Sequence, residues 1–268
     1  MRGMTETRTN PRALLVAGLG LVALAATFYL PPIVQWRDYH ALADSRPVGG
    51  LPNALNVLSN LPFLIVGLLG LRFLAKPSDS FRERWERGPY AVLMAAFVLI
   101  GLGSSYYHWN PTNQTLFWDR LPLALIFSSI LGVTIIERVS VRWGALLFFP
   151  LVAAGVASVL YWHFGNAEGG GDLRFYGLVQ GGAILAVPIL VLLFPPRYTG
   201  ARELLIVVAI YAFAKVFEMY DAHVYRLGEI VSGHTIKHLL AGLAAWRFLQ
   251  MLRRRRPAET LVPSPAHA

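Results

Sequence analysis

Three histidines, an aspartate and a serine stand inside otherwise apolar stretches of this chain. Ser104 and His108 lie in Ser104-Ser-Tyr-Tyr-His108, Asp119 in Trp118-Asp119-Arg120, and, much later, His234 and His238 in His234-Thr-Ile-Lys-His238. Imidazole, carboxylate and hydroxyl groups are the side chains that hold a metal, move a proton and donate to a developing oxyanion. Ionisable groups within membrane segments are costly, so they are functional candidates by default. His234 and His238 are four apart and share one helix face, where two imidazoles can grip one zinc. The same spacing serves a proton relay or a polar helix contact. Ser104 is four residues before His108 on one face; alone, it is equally a serine bonded back to the preceding turn. Asp119 alone is equally an interfacial carboxylate paired with Arg120.

The elements that must position these groups are hydrophobic. The chain of 268 residues is 55% hydrophobic, with mean hydropathy +0.49, too apolar for an ordinary soluble domain. Apolar runs cover about 13–34, 51–74, 89–109, 116–136, 143–164, 175–194, 203–221 and 230–250. Each is near the ~20 residues a helix needs to cross a bilayer. The alternating ten-residue segments of a membrane β-barrel are not seen. The fold class is therefore an all-α membrane protein. The first run reads as a retained helix, because its apolar core, Ala13 to Leu30, is long for a signal peptide. No internal repeat of the transporter kind is visible.

The net charge is +9. Arginines at the ends of apolar runs point to the cytoplasmic face of a membrane protein and away from nucleic acid. With the N-terminus in the cytoplasm, 17 of the 24 Lys and Arg residues fall on inside segments and 5 on outside ones, while Lys215 and Lys237 lie within helices. This bias places both termini in the cytoplasm. Trp36, Trp85, Trp109, Trp118, Trp143 and Trp162 sit where interfacial belts are expected. The absence of cysteine excludes disulfides, thiol catalysis and iron–sulfur clusters and leaves His, Asp, Glu or backbone oxygen for any metal.

Topology then brings the candidates together. His108 closes the third run, Asp119 opens the fourth across a short turn at Pro111 and Asn113, and His234 and His238 occupy the outer half of the eighth. All lie toward the outer side, and three histidines with an open position make a catalytic zinc arrangement. Lys215, Glu218 and Asp221 are spaced to share a helix face and pair internally; they serve either as a proton path or headgroup contact or as a buried ion pair locking that helix to its neighbours. Lys237 is expected to point away from the histidines and to snorkel or pair with an acid. His40, His163, His223 and His267 form no ligand constellation. Gly169-Gly-Gly171 reads as a flexible turn, and the Asn113-Gln-Thr115 sequon lies too close to the membrane for use.

The combination Gly103-Ser104-Ser-Tyr-Tyr-His108, then Asp119, then His234-x-x-x-His238, together with Asn53-Ala-Leu-Asn-Val-Leu-Ser-Asn60-Leu-Pro, resembles the alkaline ceramidase family. That family belongs to a superfamily of seven-helix membrane hydrolases that includes the adiponectin receptors, and the resemblance covers about residues 36–250. It implies a seven-transmembrane-helix core plus one added N-terminal transmembrane helix. The corresponding segments are 1–35, the N-terminus and extra helix; 36–252, the core; and 253–268, a basic, disordered cytoplasmic tail. It implies zinc held by His108, His234 and His238, with Ser104 and Asp119 as catalytic residues. The implied reaction is hydrolysis of the amide of a ceramide-like N-acyl lipid to a fatty acid and a long-chain base. Asn53 stands where the eukaryotic members carry an acid of a calcium site, and Asp38 and Asp44 do not restore that motif, which makes calcium doubtful. A short arginine-rich chain of this kind looks bacterial, hence a protein of the cell (inner) membrane whose partner is a membrane lipid substrate. Two other readings stay open: the same zinc site acting on another acyl ester or amide, and a receptor- or transporter-like protein using the His/Asp cluster as a proton relay.

Overall fold

The computed structural model describes residues 10–165, 170–200 and 202–258. Among them, helices form and no β-strand does. The helices are α1 (Pro11–Tyr29), α2 (Ala54–Leu58), α3 (Leu61–Leu74), α4 (Arg87–Trp109), α5 (Asn113–Arg138), α6 (Val141–Phe164), α7 (Arg174–Leu193), α8 (Glu203–Met219), α9 (Asp221–Arg226) and α10 (Gly233–Arg254). Six spans are long and apolar enough to cross a membrane: Pro11–Tyr29, Ala54–Leu74, Arg84–Trp109, Asn113–Arg138, Val141–Phe164 and Arg174–Leu193. The protein is an all-α membrane protein. At 17 residues α8 is shorter than these. The 22-residue α10 is long enough but carries the candidate ligands and several cations.

The apolar run 51–74 does not form one continuous helix. Pro62 lacks an N–H, so the helix bond back to Leu58 cannot form, and the chain turns at Ser59 and Asn60 between α2 and α3. The run 203–221 likewise stops at Met219, so Asp221 begins α9 instead of sharing a face with Lys215 and Glu218.

Close helix approach sets the site end of the bundle. At Gly103 a Cβ would lie 2.0 Å from the carbonyl oxygen of Trp118. Only glycine lets α4 and α5 meet there, and this contact brings Asp119 beside Ser104. The α4–α5 turn is kept short by a capping box: Thr112 Oγ1 accepts from the Thr115 amide at 3.1 Å, and Thr115 Oγ1 from the Thr112 amide at 3.0 Å. Below the site, α3, α4, α5, α7, α8 and α10 enclose a core that includes Leu93, Met94, Phe97, Val187, Phe248 and Leu249. A second cluster of Tyr107, Leu116, Val159, Trp162 and Tyr176 supports the α4–α5 turn.

α1 is peripheral. Only 6% of its apolar window is buried. It rests on α7, where Phe28 meets Phe175 at 5.2 Å between ring centroids and Arg174 Nη1 donates to the Thr27 carbonyl.

At the opposite end from the site, Arg255 donates to Tyr90 Oη (2.7 Å) and the Ser80 carbonyl (2.9 Å) and pairs with Glu137. The Tyr198 hydroxyl donates to Glu86, and Tyr198 pairs through its backbone with Pro257. The segment expected as a disordered tail from 253 therefore continues α10 to Arg254 and is tied down through 258. Residues 259–268, including His267, lie outside the described residues, as do Gly169 and residues 1–9.

Candidate metal centre and active site

His108 comes from the last turn of α4, and His234 and His238 from the first two turns of α10. Their side chains converge. One ligand nitrogen from each lies within 4.8 Å of the others, and all three residues are buried. His108 Nε2 and His234 Nε2 are 3.2 Å apart. Tetrahedral coordination at about 2.0–2.1 Å places ligand nitrogens about 3.3 Å apart, so this separation fits a shared metal. His238 Nε2 has no hydrogen-bond partner among the described residues. A buried imidazole nitrogen without a partner is costly unless something binds it. The triad can hold a metal ion.

Each ligand is braced. Ser59 Oγ lies 2.8 Å from His238 Nδ1, which leaves Nε2 as the free donor. Ser59 is available because the α2–α3 break places its side chain toward α10. The His234 amide donates to Asp221 Oδ1 at 2.7 Å, and the Ala43 amide to Asp221 Oδ2 at 3.1 Å. The Asp221 carboxylate thus caps α10 and fastens the 41–44 loop over it. Asn53, in the left-handed region at φ 48°, donates from Nδ2 to the His108 carbonyl at 2.8 Å. Of these, only the Ser59 bond reaches a ring nitrogen and can fix its orientation; His108 Nδ1 has no partner among the described residues.

Two cavities each have one triad histidine in their lining, His238 in the first and His234 in the second. The first is a pocket between α3, α4, α5, α7, α8 and α10. Ser104, Asp119, Lys237 and His238 stand at its polar head, and Phe97, Ile126, Phe127, Val187 and Val207 line its body. Ser104 and Asp119 line the same pocket. The second is bordered by Trp36, Tyr39, Arg120, Lys215, Glu218, Asp221 and His234. The walls of the first suit an apolar group, and the charged border of the second a polar one.

The structure brings together all five candidates: Ser104, His108, Asp119, His234 and His238. It corrects several neighbouring expectations. Lys237 does not point away. Its Nζ lies 3.4 Å from His234 Nε2 and 3.1 Å from Glu218 Oε1, because residues three apart on a helix are neighbours. Glu218 also pairs with Lys215. Asp119 is not paired with Arg120, whose Nη2 instead donates to Gln35 Oε1 at 2.6 Å. Trp162 is fully buried inside the protein. His40 is not isolated: its ring bridges Tyr107 Oη and Asn113 Oδ1, each at 3.0 Å.

Asp44 is held by Arg46, with both carboxylate oxygens bonded at 2.8 Å. These bonds hold its carboxyl below the usual carboxylate range, against a smaller opposing effect of burial.

Ser59 and Arg120 at the site are not singled out by the sequence. The one available signal was Pro62, which forecasts the break that frees Ser59. No protein-family model matches the chain, and no curated protein matches it.

Proposed function

We propose that this protein is an intramembrane zinc-dependent hydrolase that cleaves the amide of ceramide-like N-acyl lipids to a fatty acid and a long-chain base. The observation that carries this reading is a buried three-histidine cluster at the polar head of an apolar cavity, with Asp119 and Ser104 on the same wall. The apolar cavity takes the acyl chain. The scissile carbonyl then lies at the head, among the groups able to act on it.

Zinc held by His108, His234 and His238 would polarise the carbonyl and acidify a water toward neutrality. Asp119 accepts the proton of the attacking water and returns it to the amine nitrogen as the C–N bond breaks. Ser104 donates to the oxygen that becomes negative at the tetrahedral stage, or holds Asp119 in place for the proton transfer. The cavity walls exclude bulk water, which strengthens these electrostatic contacts.

The test is incubation of purified protein with matched N-acyl and O-acyl lipids, with and without a chelator, read by mass spectrometry. Chelator-sensitive release of fatty acid from the amide is expected. Intact lipids throughout, with metal bound, would sink the hydrolase reading.

The same reading places α8 and α10 across the membrane beside the six apolar spans. This gives seven core helices after α1, with both termini cytoplasmic and the site toward the outer face of a bacterial inner membrane. Reporter fusions should show a cytoplasmic C-terminus and an external 165–173 loop. The opposite pattern would turn the site toward the cytoplasm.

A further inference from the structure

The polar cavity has a charged wall that the proposed chemistry does not use. Arg120 follows Asp119 on α5, and the two side chains serve different cavities: Asp119 the apolar one, Arg120 the polar one. Arg120 is only 4% exposed. Its guanidinium carbon lies 4.1 Å from the Trp162 ring centroid and 5.3 Å from those of Tyr39 and Tyr176.

Its Nη2 has one neutral acceptor, Gln35, and its Nη1 has none among the described residues. No carboxylate among the described residues lies within ion-pair distance of it. The two acids of the same cavity are committed elsewhere, Glu218 to Lys215 and Lys237 and Asp221 to two backbone amides. A buried cation without a counter-ion is costly even where aromatic faces offset part of the cost. A planar guanidinium presents a donor fork suited to carboxylate or phosphate.

We infer that the polar cavity receives the amine half of the substrate and that Arg120 binds an anionic oxygen group carried on it, a carboxylate or a phosphate. This rests on the hydrolase reading and narrows it from neutral ceramides to N-acyl lipids with an acidic amine half. The geometry behind it is the placement of His234 and Arg120 on one cavity, with the acyl cavity on the other side of the triad. With the scissile amide at the triad, the acyl chain extends one way and the amine substituent the other. The anion is committed to the lipid and not to a free ion, because this cavity adjoins the acyl-binding one.

The experiment is equilibrium binding to the full chain in neutral detergent, with a chelator present so that no carboxylate can bind a metal. The probes share one acyl chain: N-dodecanoylglycine, N-dodecanoyl phosphoethanolamine and the neutral N-dodecanoylethanolamine. N-acetylglycine and inorganic phosphate serve as free-anion competitors. One or both anionic lipids should bind about tenfold or more tightly than the neutral one, the scale of a charge-assisted hydrogen bond. Arg120→Gln should remove that preference, and Arg120→Lys should retain part of it. The free anions should compete weakly.

Equal binding of all three lipids to the unaltered protein would overturn the inference, and needs no variant that could fail to fold. A preference that survives Arg120→Gln, or free phosphate competing as well as the lipids bind, would also overturn it. Cleavage of a neutral amide without any anion preference would remove this inference and leave the hydrolase standing. An Arg120-dependent preference without cleavage of any lipid would do the reverse.

Discussion

Purified protein is expected to carry one zinc per chain, and His108→Ala, His234→Ala and His238→Ala are each expected to lose the metal together with all turnover. Two imidazoles do not hold a catalytic zinc well, and the three rings are close enough that one ion can be shared by all. Ser59→Ala is the finer test. It removes the group 2.8 Å from His238 Nδ1 without removing a ligand, and loss of such a partner typically weakens metal affinity about 10–100-fold. Elemental analysis of the variants, with zinc titration of Ser59→Ala, checks both levels. A metal content far below one per chain that does not rise on zinc addition would leave the histidines as a polar relay and end the hydrolase reading.

Asp119→Asn and Ser104→Ala are expected to keep the metal and lose most of the activity. Removal of a general base costs ~10²–10⁴ in rate, and removal of an oxyanion donor ~10²–10³. Because Ser104 and Asp119 line the same pocket, the double variant is informative. If Ser104 acts on the carbonyl independently, the two losses multiply. If it acts by holding Asp119, the double variant is no slower than Asp119→Asn alone. Full activity in metal-loaded Asp119→Asn would remove its acid–base role. The structure makes Asp221 a poor replacement, since both its oxygens accept backbone amides. Glu218 remains, held between Lys215 and Lys237.

The sequence by itself determined the all-helical membrane architecture and which three histidines come together. Sustained apolar character over about 20 residues is a local property that needs no tertiary knowledge. The i, i+4 histidines share a face by helix geometry alone. A short α4–α5 turn could only return Asp119 toward His108.

Tertiary structure decided what the polar groups do to one another. Ser59 looks like any serine in an apolar run, and its partner His238 lies far along the chain. Asp221 looked like one acid on a charged helix face until the chain broke at Met219 and made it the cap of α10. Lys237 turned toward the site because Glu218 on α8 is within reach of its long side chain. Arg120 follows Asp119 in sequence, but the two line separate cavities. In each case the deciding quantity is a distance between elements, which depends on how glycine contacts such as Gly103 against Trp118 let the helices approach.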